Sequence, residues 1–129
     1  LTEKERLFCK IVRDADKLDI FFEAETMFWK DDIDRINVEK CTITDEIMEP
    51  ILNKETIKIK KGDNELVRLL SMIAFVFDIN FKPSLSIIKN KKYIDNILNR
   101  FEFKDENTKK QIELIKENVN NYIDERLKK

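Results

Sequence analysis

The segment IVRDADKLDI, residues 11 to 20, sets Asp14, Asp16 and Asp19 inside an apolar helical pattern. A carboxylate among apolar neighbours must be paired, hydrogen-bonded or bound to a metal, because burying it alone is costly. The cluster is therefore either a solvated face or part of a polar site. At about 3.6 residues per turn the apolar stripe runs Phe8, Ile11, Val12, Ala15, Leu18 and Phe22. On that wheel Asp19 falls within the stripe, Asp14 and Asp16 lie on its two flanks, and Lys17 points away to solvent. Asp19 accordingly needs an Arg, a Lys, backbone donors or a metal. The stripe itself is expected to face the core.

The remaining composition excludes most catalytic templates. The chain has no histidine and a single glycine, Gly62. Ser-His-Asp and Cys-His arrangements and imidazole-rich metal sites are thereby absent, as are glycine loops that cradle phosphates. Cys9, without a histidine base, reads as a small buried residue. DIDRINVEKCTI opens like a calcium loop at Asp32 and Asp34, but Asn37 stands where glycine is required and Ile43 where the last ligand belongs, which rejects an EF-hand. Phe21, Phe22, Phe28 and Trp29 could wall a nucleotide pocket; core packing is the reading preferred for them.

Net charge is −1, from 25 basic and 26 acidic residues, so no overall field draws the chain to nucleic acid or an anionic membrane. The short runs KIKK and KNKK read as solvated surface. Cys9 and Cys41 form no framework, which places the expectation in a reducing compartment, the cytoplasm. The longest apolar run, LLSMIAFVF, is too short to span a membrane. The 129 residues predict one domain, 42% apolar and 40% charged. Its first residue is Leu, as expected of a piece of something longer.

The elements that must position the aspartates read as helices throughout. Thr2 and Glu5 form a possible capping box for the first. A short helix follows within 26 to 42; the next begins near Thr42, with Pro50 expected to kink or restart it. TIKIKKGDN reads as a brief extended loop turning at Gly62-Asp63. DNELVRLLSMIAFVFDI, apolar nearly all round, should be the most buried helix. Pro83 and Ser84 suit the opening of another, continuing or bending through YIDNILNRFEF to a break near Asp105. A last helix, from Glu106 to about Leu127, sets Ile112, Ile115, Val119, Tyr122 and Ile123 on one side. The fold class is all-α, a multi-helix bundle-like domain over residues 1–129.

KIVRDADKLDIF resembles the last motif of the HD-domain phosphohydrolases, in which an Ala-Asp-(Lys/Arg)-Leu core on a helix supplies the final aspartate of an H…HD…D metal set. The resemblance extends from ERLFCKIVRDADKLDIF through AFVFDINFKPS to YIDERLKK, similar to small bacterial HD-domain proteins. It implies that Asp16 is a metal ligand, that the metal is a divalent ion such as Mn, Mg or Fe, and that the substrate of the whole protein is a phosphate ester, such as a nucleotide. Asp14 and Asp19 would then orient Asp16, pair with Arg13 or a lysine, or hold a loop, so that Arg13, Asp14 and Asp19 support the ligand. In a longer protein Asp16→Ala should abolish activity and Asp14→Ala should be milder.

The family's first His and its His-Asp pair lie upstream of this motif, and this chain has no histidine. The resemblance thus implies the C-terminal part of an HD protein, inactive alone. Such a piece would expose the stripe around Phe8, Ile11, Ala15 and Phe22 and self-associate through it. The alternative is a non-catalytic helical interaction or oligomerisation module, its aspartates making ordinary salt bridges and caps.

Overall fold

The computed structural model describes residues 1–26 and 32–129, with backbone alone at 32 and 33. Its elements are α1 (Glu3–Thr26), α2 (Asp32–Glu39), α3 (Asp45–Leu52), α4 (Glu65–Ile73), a 3₁₀ turn (Ala74–Asp78), α5 (Lys82–Asn90), α6 (Tyr93–Leu98) and α7 (Glu106–Lys128). There is no strand among the described residues. The all-α multi-helix expectation is met. No helix of the described chain is long and apolar enough to cross a membrane. Phe28 and Trp29, considered as a pocket wall or core, lie outside the described residues.

α4 is buried on nearly every side through Leu66, Val67, Leu69, Leu70 and Ile73, as its sequence predicts. α1 packs on α4, α5 and α6, and α7 on α3, α5 and α6. The core joins Phe21 of α1 to Leu70 and Ile73, Leu85 and Ile88, Ile94 and Ile97, and Ile115 and Val119. Asn64 caps α4 by accepting the Val67 N–H at 2.9 Å, and Asp105 caps α7 by accepting the Thr108 N–H at 2.9 Å. Asn64→Ala should cost about 1 kcal/mol, read as a lower urea midpoint at unchanged slope.

Two helix ends differ from expectation, and a third takes the bend that the sequence allowed. The pattern after Asn64 does not continue as one helix: α4 stops at Ile73, and Ala74–Asp78 tightens into a 3₁₀ turn before extended backbone at Ile79. The β-branched and aromatic run Phe75-Val76-Phe77 crowds an α-helical turn. Pro50 neither kinks nor restarts α3, because it stands in the last turn, two residues before the end. There Lys54, at φ 63°, ends the helix, and the Glu55 N–H reaches back to the Pro50 carbonyl at 2.8 Å, a Schellman closure. The α5 pattern bends, with Lys92 in the left-handed region separating α5 from α6.

The loop before α4 turns at Gly62, whose φ of 93° suits glycine. The Lys60 N–H donates to the Asp63 carboxylate at 2.6 Å and closes that turn.

Candidate functional site

The α1 wheel is rotated relative to the sequence reading. The face that meets the domain carries Asp14, Lys17, Phe21 and Ala24; the apolar stripe points outward except at Leu18, which is half-buried against the core. Phe8 is 66% and Ile11 50% exposed, and Leu7, Val12 and Phe22 are also exposed. Asp19 needs no partner, because the stripe containing it faces solvent. Lys17, expected in solvent, is folded against the domain and pairs with Asp78 at 3.1 Å. Cys9, expected to be buried, is exposed, because none of the described residues covers that part of α1. The Thr2 cap forms: its hydroxyl oxygen accepts the Glu5 N–H at 3.1 Å and its O–H donates to the Glu5 carboxylate at 3.0 Å.

Asp14 is the buried member of the aspartate cluster, 2% exposed. One of its oxygens accepts the Asn80 N–H at 2.8 Å and the Asn80 side-chain amide at 3.1 Å. The other accepts the Phe81 N–H at 3.0 Å and the Ser84 hydroxyl at 2.7 Å. The sequence explains why a distant residue is needed. α5 begins at Lys82 with Phe81 in the capping position, and phenylalanine has no side-chain oxygen to accept the orphan N–H groups. Asp14 does not take that place within the helix: it accepts the N–H groups of Asn80 and Phe81 just ahead of it and the Ser84 hydroxyl, and so puts its charge at the positive end of the α5 dipole. Burial by itself raises the Asp14 pKa; the bonds from Asn80, Ser84 and Phe81 outweigh it and hold the carboxyl below its ordinary value.

The same junction is gripped from the far side by Arg126 of α7. Its guanidinium donates to the carbonyls of Ile79 at 2.9 Å and Asn80 at 3.2 Å, and to the Tyr122 hydroxyl at 3.1 Å. Asp14 takes the N–H groups of the 79–81 segment and Arg126 the carbonyls. Of the roles open to Asp14, holding a loop is the one its contacts describe. Arg126 was not singled out from sequence, since no local pattern connects positions 14, 80 and 126. The one available signal was a helix opening at Phe-Lys-Pro-Ser without a capping side chain of its own.

Asp16 is exposed and has no hydrogen-bond or ion-pair partner among the described residues, and Arg13 and Asp19 are exposed on the same helix. Between α1 and the start of α5 runs a groove of about 410 Å³, lined by Leu7, Ile11, Asp14, Ala15, Leu18, Phe81, Pro83 and Ser84. A larger cleft, about 700 Å³, includes Glu39, Arg100 and Glu102, but these groups are engaged internally. Glu39 accepts the Glu102 N–H at 2.5 Å, and Arg100 donates to the carbonyls of Ala24 and Glu25. Arg100 thereby supplies the positive charge that the last turn of α1 lacks.

A divalent metal does not fit the residues present. Asp14 spends both oxygens on the α5 junction, which leaves Asp16 without a second strong ligand. Among the described residues no group of three His, Cys, Asp or Glu side chains could hold an ion. No protein-family model, curated protein or solved structure matches the chain. The HD resemblance therefore stands on its motif.

Proposed function

We propose that this domain is the C-terminal portion of an HD-type metal-dependent phosphohydrolase, that it contributes Asp16, and that the outward face of α1 is covered in the working protein by helices bringing the remaining ligands. The observation that carries this reading is the position of Asp16. It stands without a partner among the described residues, at the margin of an apolar face that they leave uncovered, on a helix whose neighbouring aspartate is fully committed to structure. One carboxylate does not fix a hydrolytic metal, so the chain by itself is expected to release no phosphate.

The test is phosphate release from nucleotides with Mn²⁺, Mg²⁺ or Fe²⁺, by this chain and by a longer polypeptide in which histidine-bearing helices precede residue 1. The short chain should be inactive and the longer one active, with Asp16→Ala abolishing turnover and metal retention while leaving the thermal midpoint nearly unchanged. Metal-dependent turnover by the short chain, or an active Asp16→Ala variant of the long one, would overturn the reading.

The second reading, a non-catalytic helical interaction module, is favoured by the breadth of the exposed stripe. An apolar face running from Leu7 to Phe22 needs covering whether or not a metal centre forms beside it. Absence of phosphate release from every longer form, together with a partner seated on α1, would select this reading.

A further inference from the structure

Apolar side chains that the described residues leave exposed occupy the outward face of α1 over about 20 Å, from Phe8 to Phe22 at about 1.5 Å per residue. The two long edges of this face are chemically unlike. One borders α5, where Ala15 leaves room for the groove beside Phe81 and Pro83. The other, traced at about 100° per residue, carries Glu5, Val12, Asp19 and Glu23, with Asp16 just behind. That edge has no cation, and the stripe itself has only Lys4 at its N-terminal end.

None of Asp16, Asp19 and Glu23 is in an ion pair among the described residues. Asp19 and Glu23 are an i, i+4 pair of like charge, an arrangement that destabilises an isolated helix. They also crowd the C-terminal half of α1, where the helix dipole disfavours anions. A cationic partner lying along this edge would relieve both costs while its apolar side covered the stripe.

Resting on the reading that the outward face of α1 is covered, we propose that its occupant is a basic amphipathic helix. Its apolar stripe lies on Phe8, Ile11, Ala15 and Phe22, one bulky side chain enters the groove beside Ala15, and Lys or Arg residues run along Glu5, Asp19 and Glu23. This is helix-in-groove recognition with the charge edge fixing orientation. A second copy of α1 fits less well: laid antiparallel, it brings the same acidic edge against itself, because corresponding edges face one another in an antiparallel helix pair.

The experiment measures binding of a synthetic 18-residue helical peptide with a Leu stripe and Lys along one edge, against the same peptide with Glu in place of Lys. The Lys peptide is expected to bind at least tenfold more tightly at low salt, with the advantage shrinking as salt rises. Asp19→Lys with Glu23→Lys should reverse that preference, and Ile11→Ser should weaken both peptides at least tenfold. Asp45→Lys, on α3, should stay within twofold. Helical circular dichroism checks that each variant is folded.

Equal binding of the two peptides would overturn the basic occupant while leaving a covered α1 face in place. Equal weakening by Asp45→Lys would reduce the effect to diffuse attraction and overturn it too. Sedimentation showing self-association through Ile11 that neither peptide disrupts would assign the face to a second copy and also overturn it. Failure of both peptides to bind, with Ile11→Ser changing nothing, would overturn both this proposal and the covered face. The metal role of Asp16 is judged separately, by phosphate release.

Discussion

Asp14→Ala is expected to lower stability by about 3 kcal/mol, the largest effect of any aspartate in the cluster, and to drop the thermal midpoint by about 10 °C. The substitution removes a buried charged acceptor of four hydrogen bonds. It takes the acceptor from the Ser84 hydroxyl and leaves the Asn80 and Phe81 N–H groups unpaired at the edge of an apolar groove. Asp14→Asn should recover little, at a cost of about 2 kcal/mol, because its amide NH₂ would face donors where an oxygen is needed. Asp16→Ala and Asp19→Ala, which remove no contact within the domain, should stay within about 0.5 kcal/mol.

The same substitution carries a pH signature. The Asp14 pKa is lowered in the folded state, so the unfolded chain holds this proton more tightly. The stabilisation is present above the ordinary aspartate value, about 3.9, and is lost as pH falls through the lower folded value. Urea midpoints of the wild type and Asp14→Ala should therefore converge on acidification below about pH 4. A variant that matches the wild type at neutral pH would remove Asp14 from the fold's supports. The sequence-based ranking, with Asp14 milder than Asp16, thus applies to metal chemistry alone; for folding the order is reversed.

Arg126→Ala is expected to cost about 2 kcal/mol, from three hydrogen bonds donated by one guanidinium and its stacking 5.8 Å from the Tyr122 ring centre. Arg126→Lys should restore less than half, since a single ammonium cannot fork across the Ile79 and Asn80 carbonyls. The informative result is the pair. Asp14 and Arg126 grip opposite polar groups of one segment, so loss of either loosens what the other holds. The double variant should fall short of the sum of the singles by about 1 kcal/mol in urea unfolding. Strict additivity would show two independent anchors rather than one clamp.

Residue types and periods alone determined the helical class, the burial of α4, the apolar side of α7, the turn at Gly62 and the cap at Thr2. Those are local matters: a 3.6-residue period, a lone glycine and a hydroxyl before Glu5 act within a few positions. The sequence also marked residues 14 to 19 as the place where carboxylates and apolar side chains meet. Which aspartate is buried was not available from α1 alone, because its most apolar side is not the side that packs. Phe21, Ala24 and Lys17 face the domain, while Phe8, Ile11 and Phe22 face out. A helical wheel finds the apolar face but carries no information on which neighbour that face meets. Only the tertiary structure set Asp14 opposite the segment leading into α5 and brought Arg126 to the same segment, because a contact with a residue 66 positions from Asn80 is decided by how helices pack. It is the N–H groups of Asn80 and Phe81, just ahead of α5, more than any feature of α1, that choose Asp14 for burial and leave Asp16 and Asp19 at the surface.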